Sequence, residues 1–290
     1  MQAAERNGNL YLTGTGPFHL ARTFNCGQCF RWNPLPDGSY AGVAGGRALR
    51  IGSTKDGVIL YHTSLDAFHQ FWKHYFDLDR DYSAIERQLG SDAVLAPAVR
   101  AGSGIRILNQ EPFEALISFI ISTNNNIPRI KGIIERLCTQ FGNRAVDGQG
   151  NEYFTFPDAH TLAGLSLEAL SSVRAGFRDK YILDAARKVD SGEINLADLK
   201  TVSCERAVAQ LCRIKGVGSK VANCVALFGL SHHSAFPIDV WVRRVMQYYF
   251  SDRIAEGSDI ASFAQKRFGK LGGYAQQYLF YYARENKIAN

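Results

Sequence analysis

Two side chains in the C-terminal third have the types and placement for covalent chemistry on an electrophilic carbon: Lys220 and Asp239. Lys220 follows Gly216-Val217-Gly218-Ser219, where a helix is expected to begin. In a first helical turn the terminal partial positive charge favours a neutral amine, and a neutral amine can form a Schiff base. Asp239 follows Pro237 and precedes the apolar Val240, Val242, Val245 and Met246, so it reads as the N-cap of another helix. A carboxylate there is expected to stay ionised and to stabilise positive charge on a substrate. The plainer reading of the pair is a solvated lysine and a structural cap.

The elements that would position the pair run from Leu211 to Tyr249. A helix is expected over Arg206–Cys212, then the hairpin Ile214–Gly218, then a helix carrying Val221, Cys224, Val225 and Leu227 that fades near Gly229. The glycines are free to take positive φ, and the Ser219 hydroxyl is suited to capping. Such a hairpin, with Lys215, Gly216, Val217 and Gly218, presents consecutive N–H groups beside a helix N-terminus and suits a repeating phosphate. It also serves as a plain helix–helix turn.

The hairpin, the Gly-Val-Gly-Ser-Lys run and the Pro-Ile-Asp that follows resemble the helix-hairpin-helix base-excision DNA glycosylases. Their details are similar to the 8-oxoguanine DNA glycosylase/AP lyases. The rest of the chain extends the resemblance. Cys26-Gly27-Gln28-Cys29-Phe30-Arg31-Trp32 is similar to a family segment whose glycine turns its carbonyl toward the flipped base. That role falls on Gly27. It has a physical basis, because 8-oxoguanine carries a proton on N7 where guanine is a bare acceptor. Ser122–Arg129 resembles the family's asparagine loop, which implies Asn124 filling the vacated stack and Arg129 reading the estranged cytosine. Gly176-Phe177-Arg178 matches a Gly-Tyr-Arg pattern, which implies Phe177 as a wedge and Arg178 as a second cytosine reader. Gln276 and Phe280, four apart on an expected helix, match a glutamine on the base's Watson–Crick edge and a stacking phenylalanine; Cys224 would cover the other face. The chain departs from the pattern at Trp241, where many members have a phosphate-contacting histidine, and at Ala283, where its supporting aspartate would stand.

The 290 residues allow one large or two modest domains. The expected class is α+β. Residues 1–98 would form a small antiparallel β domain with flanking helices, TATA-binding-protein-like by the resemblance, and residues 99–290 an all-helical glycosylase domain. Strands are expected at Leu10–Leu12, Phe18–Leu20, Gln28–Trp32, Tyr40–Val43, Ala48–Ile51 and Val58–Tyr61, with a helical core stripe of Phe68, Phe71, Trp72 and Tyr75. A net charge of +6 suits a polyanion. The six scattered cysteines and the polar N-terminus lead to the expectation of an intracellular protein with reduced thiols, and the resemblance implies one associated with DNA. Cys26-x-x-Cys29 lacks a second pair at zinc spacing, so no metal site is expected. No run is apolar and long enough to span a membrane.

The resemblance implies a monomer acting on 8-oxoguanine-containing duplex DNA with no organic cofactor, and it admits a structural monovalent cation on the hairpin carbonyls. Two other readings stay open from the residues alone: a related glycosylase for another lesion such as an alkylated base, and a non-catalytic DNA-binding module.

Overall fold

A computed structural model describes residues 1–251 and 259–288. Strands β1 (Gln2–Arg6), β2 (Asn9–Thr13), β3 (Trp32–Pro34), β4 (Tyr40–Ala44), β5 (Arg47–Thr54) and β6 (Gly57–Tyr61) form one antiparallel sheet in the order β1-β2-β6-β5-β4-β3. Alternation along β2, β5 and β6 sends Leu10, Leu12, Leu49, Ile51, Val58 and Leu60 to one buried face. Against it pack Phe24, Trp32, Phe68, Trp72, Tyr75 and Phe76. The expected aromatic stripe lies on the helical run Leu65–Tyr75, with Phe71 half-buried and the other three in the core.

Two expected strands are absent. Phe18–Leu20 instead leads into helix Leu20–Asn25, because the His19 side chain caps its N-terminus. Most of Gln28–Trp32 is loop. The buried Gln28 amide takes the place of a ladder there: Nε2 donates to the carbonyls of Thr23 (2.9 Å) and Arg106 (2.7 Å), and Oε1 accepts from Leu108 N (2.9 Å). Strand β1, by contrast, is polar and sits at the sheet edge, so it lacks an alternating signal.

The second core is helical. Leu116, Ile117, Ile120 and Ile121 of helix Pro112–Ser122 meet Ile130, Ile133, Ile134 and Leu137 of helix Ile127–Phe141 and Val225 of helix Ser219–Phe228. The region is not wholly helical: Arg144–Val146 pairs with Glu152–Phe154, turned by Asp147, whose Oδ1 accepts from Gln149 N (2.8 Å) and Asn151 N (2.9 Å). Arg106 ties the two cores together. It is fully buried and donates to the carbonyls of Asp77 (2.7 Å) and Thr15 (2.5 Å). Among the described residues no helix is long and apolar enough to cross a membrane.

Candidate active site

The hairpin joins helix Cys204–Leu211 to helix Ser219–Phe228. Only one of its glycines uses positive φ. Gly216 has φ +79°, and a Cβ there would fall 2.4 Å from Cγ of the Tyr181 ring, so glycine is required twice over. Gly218 is extended and is itself the N-cap. The expected capping role of Ser219 is therefore corrected: Ser219 is already helical, and its Oγ lies 3.4 Å from Asn223 Nδ2. With no side-chain cap, the first N–H groups of this helix remain open to an anion. Val217 is buried beneath the turn, and exposed Lys215 lies 3.8 Å from Asp184.

Lys220 and Asp239 line one cleft of about 60 Å³, together with Gly27, Cys224, Gln276, Phe280, Phe119 and Gln277. Lys220 Nζ bonds Ser122 Oγ at 3.4 Å and stands 5.5 Å from the Phe119 ring centroid. Asp239 caps helix Val240–Phe250, its Oδ1 accepting from Val242 N at 2.7 Å. Burial raises the Asp239 pKa above the ordinary carboxylate value; the cap and the Lys220 charge pull it back only in part. Burial also raises the Cys224 thiol, which Lys220 opposes.

The cleft's polar groups wait for partners. Gln276 is 5% exposed, and its buried Oε1 has no hydrogen-bond partner. Gly27 has φ +82°, and a Cβ added there would meet Phe280 Cε1 at 3.5 Å. The cleft is smaller than the roughly 300 Å³ or more of ordinary ligand pockets, so a purine enters only as its walls part.

Several residues that the sequence did not single out hold this cleft. Gln277 Nε2 donates to Cys26 O at 2.9 Å, and Gln110 Nε2 to Gln28 O at 2.7 Å, pinning the Gly27 loop from two sides. The available signal was two adjacent glutamines on an otherwise apolar helix.

The asparagine loop divides its labour. Asn125 Nδ2 donates to Ile121 O at 3.0 Å, and Asn126 caps helix Ile127–Phe141 by accepting from Arg129 N at 3.0 Å. Asn124 has φ +51° and is exposed, as is Arg129. Phe177 is 53% exposed, as a wedge requires. Arg178 is not presented in this way. It is 2% exposed, and in the free protein its guanidinium is bonded to the loop carbonyls of Thr123 and Asn124.

Residues 11–116 match the family model for the N-terminal domain of 8-oxoguanine DNA glycosylase, and residues 117–268 that for the HhH-GPD superfamily of base excision DNA repair proteins. The N-glycosylase/DNA lyase OGG1 of Arabidopsis thaliana is 32% identical over 282 residues, covering 90% of this chain and 76% of that protein. The chain belongs to the 8-oxoguanine DNA glycosylase/AP lyase family. Two solved structures agree with this glycosylase throughout. MBOgg1 in complex with a low-affinity DNA ligand has a TM-score of 0.94 and 45% identity, with 99% of each chain covered. The Clostridium acetobutylicum 8-oxoguanine glycosylase/lyase, in complex with DNA containing cytosine opposite 8-oxoG, has a TM-score of 0.94 and 38% identity, again with 99% of each covered.

The raised Asp239 pKa makes a signed prediction for this glycosylase. A carboxyl that is harder to ionise when folded contributes stability below its ordinary pKa, and loses it as pH rises through the folded value. Asparagine keeps the cap without the charge. Asp239→Asn is therefore expected to unfold at the same temperature as wild type or higher above that pH, with the difference closing in acid. Excision is expected to fall about 10²-fold or more, since charge stabilisation is lost. Thermal melts at two pH values and single-turnover rates check both halves.

Proposed function

We propose that this glycosylase flips 8-oxoguanine out of duplex DNA, cleaves its glycosidic bond through Lys220, and then nicks the strand as an AP lyase. The observation that carries the reading is the unpartnered Gln276 Oε1 inside the cleft that holds Lys220 and Asp239. An unsatisfied buried acceptor is costly in the free protein and suits a base edge that offers N–H donors, as guanine's Watson–Crick edge does. Gly27 O is the second acceptor, aimed at the N7 proton that distinguishes the lesion. Cys224 and Phe280 close on the two faces of the base.

Backbone phosphates dock on the Gly216–Gly218 hairpin, with Lys215 adding positive charge nearby. Asn124 fills the vacated position, Phe177 wedges beside it, and Arg129 and Arg178 read the opposite cytosine. The Lys220 amine attacks C1′ with its nitrogen lone pair as the C1′–N9 bond breaks, and the departing base takes up a proton. Asp239 stabilises the positive charge that develops on the sugar. Ring opening gives the Schiff base; loss of a C2′ proton then expels the 3′-phosphate. One chain supplies every group named, so the reading is of a monomer, acting wherever the DNA is held.

Helix Val240–Phe250 supplies a further contact with the strand. Trp241 stands two residues beyond Asp239, and the exposed Arg244 guanidinium lies 5.6 Å from its ring centroid. Ala283 is buried and offers no charge. Arg244 then carries the phosphate contact on a Trp241 plate. Arg244→Ala is expected to lower the slope of log K against log [salt] by about 0.9, the release of one counterion's worth of charge. Titrations of duplex binding at several salt concentrations measure it.

The test of the whole reading is excision from duplexes carrying 8-oxoguanine opposite each of the four bases, beside a duplex carrying 3-methyladenine. Excision fastest from the pair with cytosine supports it. Excision of only the alkylated base, or binding with no excision at all, overturns it.

A further inference from the structure

We propose that Gln277 and Gln110 are positioning residues that determine specificity: by bonding the carbonyls on either side of Gly27, they fix the direction of the Gly27 carbonyl and with it the choice of 8-oxoguanine over guanine. The inference rests on the proposed function for the task of Gly27, and on this structure for the two straps.

Of the consecutive carbonyls at Cys26, Gly27 and Gln28, the outer pair is bonded. Cys26 is the C-cap of helix Leu20–Asn25, where carbonyls lack helical partners, and Gln277 Nε2 donates to its oxygen at 2.9 Å. Gln28 O accepts from Gln110 Nε2 at 2.7 Å, and the Gln28 side chain is itself held by Thr23, Arg106 and Leu108. Among the described residues, nothing donates to Gly27 O. Both straps are buried, Gln277 at 2% and Gln110 at 9% exposure. A carbonyl stripped of its donor there is costly, so the straps hold.

Each strap ends on an element that carries another wall of the pocket. Gln277 is next to Gln276 and three residues before Phe280 on helix Gly272–Glu285. The Gln110 backbone N–H donates to Phe228 O at 3.0 Å, at the end of the helix that carries Lys220 and Cys224. Gly27 O is thereby set against the walls that would receive the edge and both faces of a base. The middle peptide has no anchor of its own. Gly27, at φ +82°, has the freedom to turn its carbonyl once its neighbours are released. Direction decides the discrimination. A carbonyl in line with N7 rewards the N–H of 8-oxoguanine and repels the lone pair of guanine, and the hydrogen bond weakens steeply as its angle closes.

Two measurements test the straps. Methionine keeps the length of glutamine and removes the donor. In the free protein, Gln277→Met and Gln110→Met are each expected to speed alkylation of Cys26 by iodoacetamide about fivefold or more, read by peptide mass spectrometry. Cys26 is 1% exposed, so it reacts only when its loop opens. Cys138, buried in the helical core, is the internal control. Melting temperatures identify a variant that is simply unfolded, and the other strap then carries the test. Unchanged alkylation of Cys26 in the folded variants overturns the straps. In a Lys220→Gln background, where turnover is slowed, each variant is expected to lower the preference for an 8-oxoguanine:cytosine duplex over a guanine:cytosine duplex about tenfold, the worth of one hydrogen bond. Affinity for the guanine duplex, set by backbone contacts, is expected to stay within about twofold of the parent. A loss of the same size on both duplexes, or a preference kept intact, makes the glutamines structural only and refutes the proposal. A parent with no preference for 8-oxoguanine would instead fault the functional reading, and alkylation would still decide whether the loop is strapped.

Discussion

Replacing Lys220 by glutamine is expected to abolish the borohydride-trapped covalent adduct with 8-oxoguanine DNA and to slow excision at least about 10³-fold, a barrier increase of roughly 4 kcal/mol. The size follows from what the substitution keeps. Glutamine retains most of the side chain's length and its polarity near the Ser122 hydroxyl, which Lys220 Nζ contacts at 3.4 Å. It also still packs beside Phe119 and Cys224. What disappears is the lone pair that attacks C1′, and with it the Schiff base from which the 3′-phosphate is eliminated. Asp239 would remain in place on its cap and could still support slow departure of the base. Residual excision without any adduct is therefore compatible with the mechanism. Trapping on a denaturing gel, with single-turnover kinetics beside it, reads both numbers. A wild-type-sized adduct in Lys220→Gln would place the nucleophile elsewhere. Melting within a few degrees of wild type would show that the loss is chemical.

The proposed catalytic pair was legible because each partner carries a local signal. Asp239 stands before an apolar helical run, where a cap belongs, and Lys220 follows a glycine hairpin. The four apolar runs on β2, β4, β5 and β6 were legible for a similar reason, since period-two burial leaves its mark on composition. What escaped was decided by partners far away in the chain. Whether Gln28 sits in a strand depends on carbonyls at Thr23 and Arg106. Gly216 needed glycine not only for its φ but for the Tyr181 ring pressed against it, and no local pattern announces that ring. At Asp239 the helix terminus favours the anion while desolvation opposes it, and the pKa lies above the ordinary carboxylate value.

Gln276→Leu is expected to act in opposite directions on stability and on catalysis. In the free protein Gln276 is 5% exposed and its Oε1 has no partner, so the fold carries a desolvated polar atom for no structural return. Leucine has a similar volume and no such atom. Removing an unsatisfied buried acceptor recovers about 1–2 kcal/mol, which for a chain of this size raises the melting temperature by roughly 2–4 °C. With substrate the balance inverts. The flipped base brings N–H donors that leucine cannot meet, and they would be buried unpaired. Sites that hydrogen-bond their substrate lose about 10³-fold or more when that bond is deleted. Neighbouring Gln277 should not behave this way. Its Nε2 already bonds Cys26 O, so Gln277→Leu would strand that carbonyl and lower the melting temperature. Calorimetric melts of the two variants, paired with excision rates, separate a residue kept for its ligand from one kept for its fold. A Gln276→Leu protein that melts lower than wild type, or that still excises 8-oxoguanine at the wild-type rate, would mean that the unpartnered oxygen is not the base's receptor.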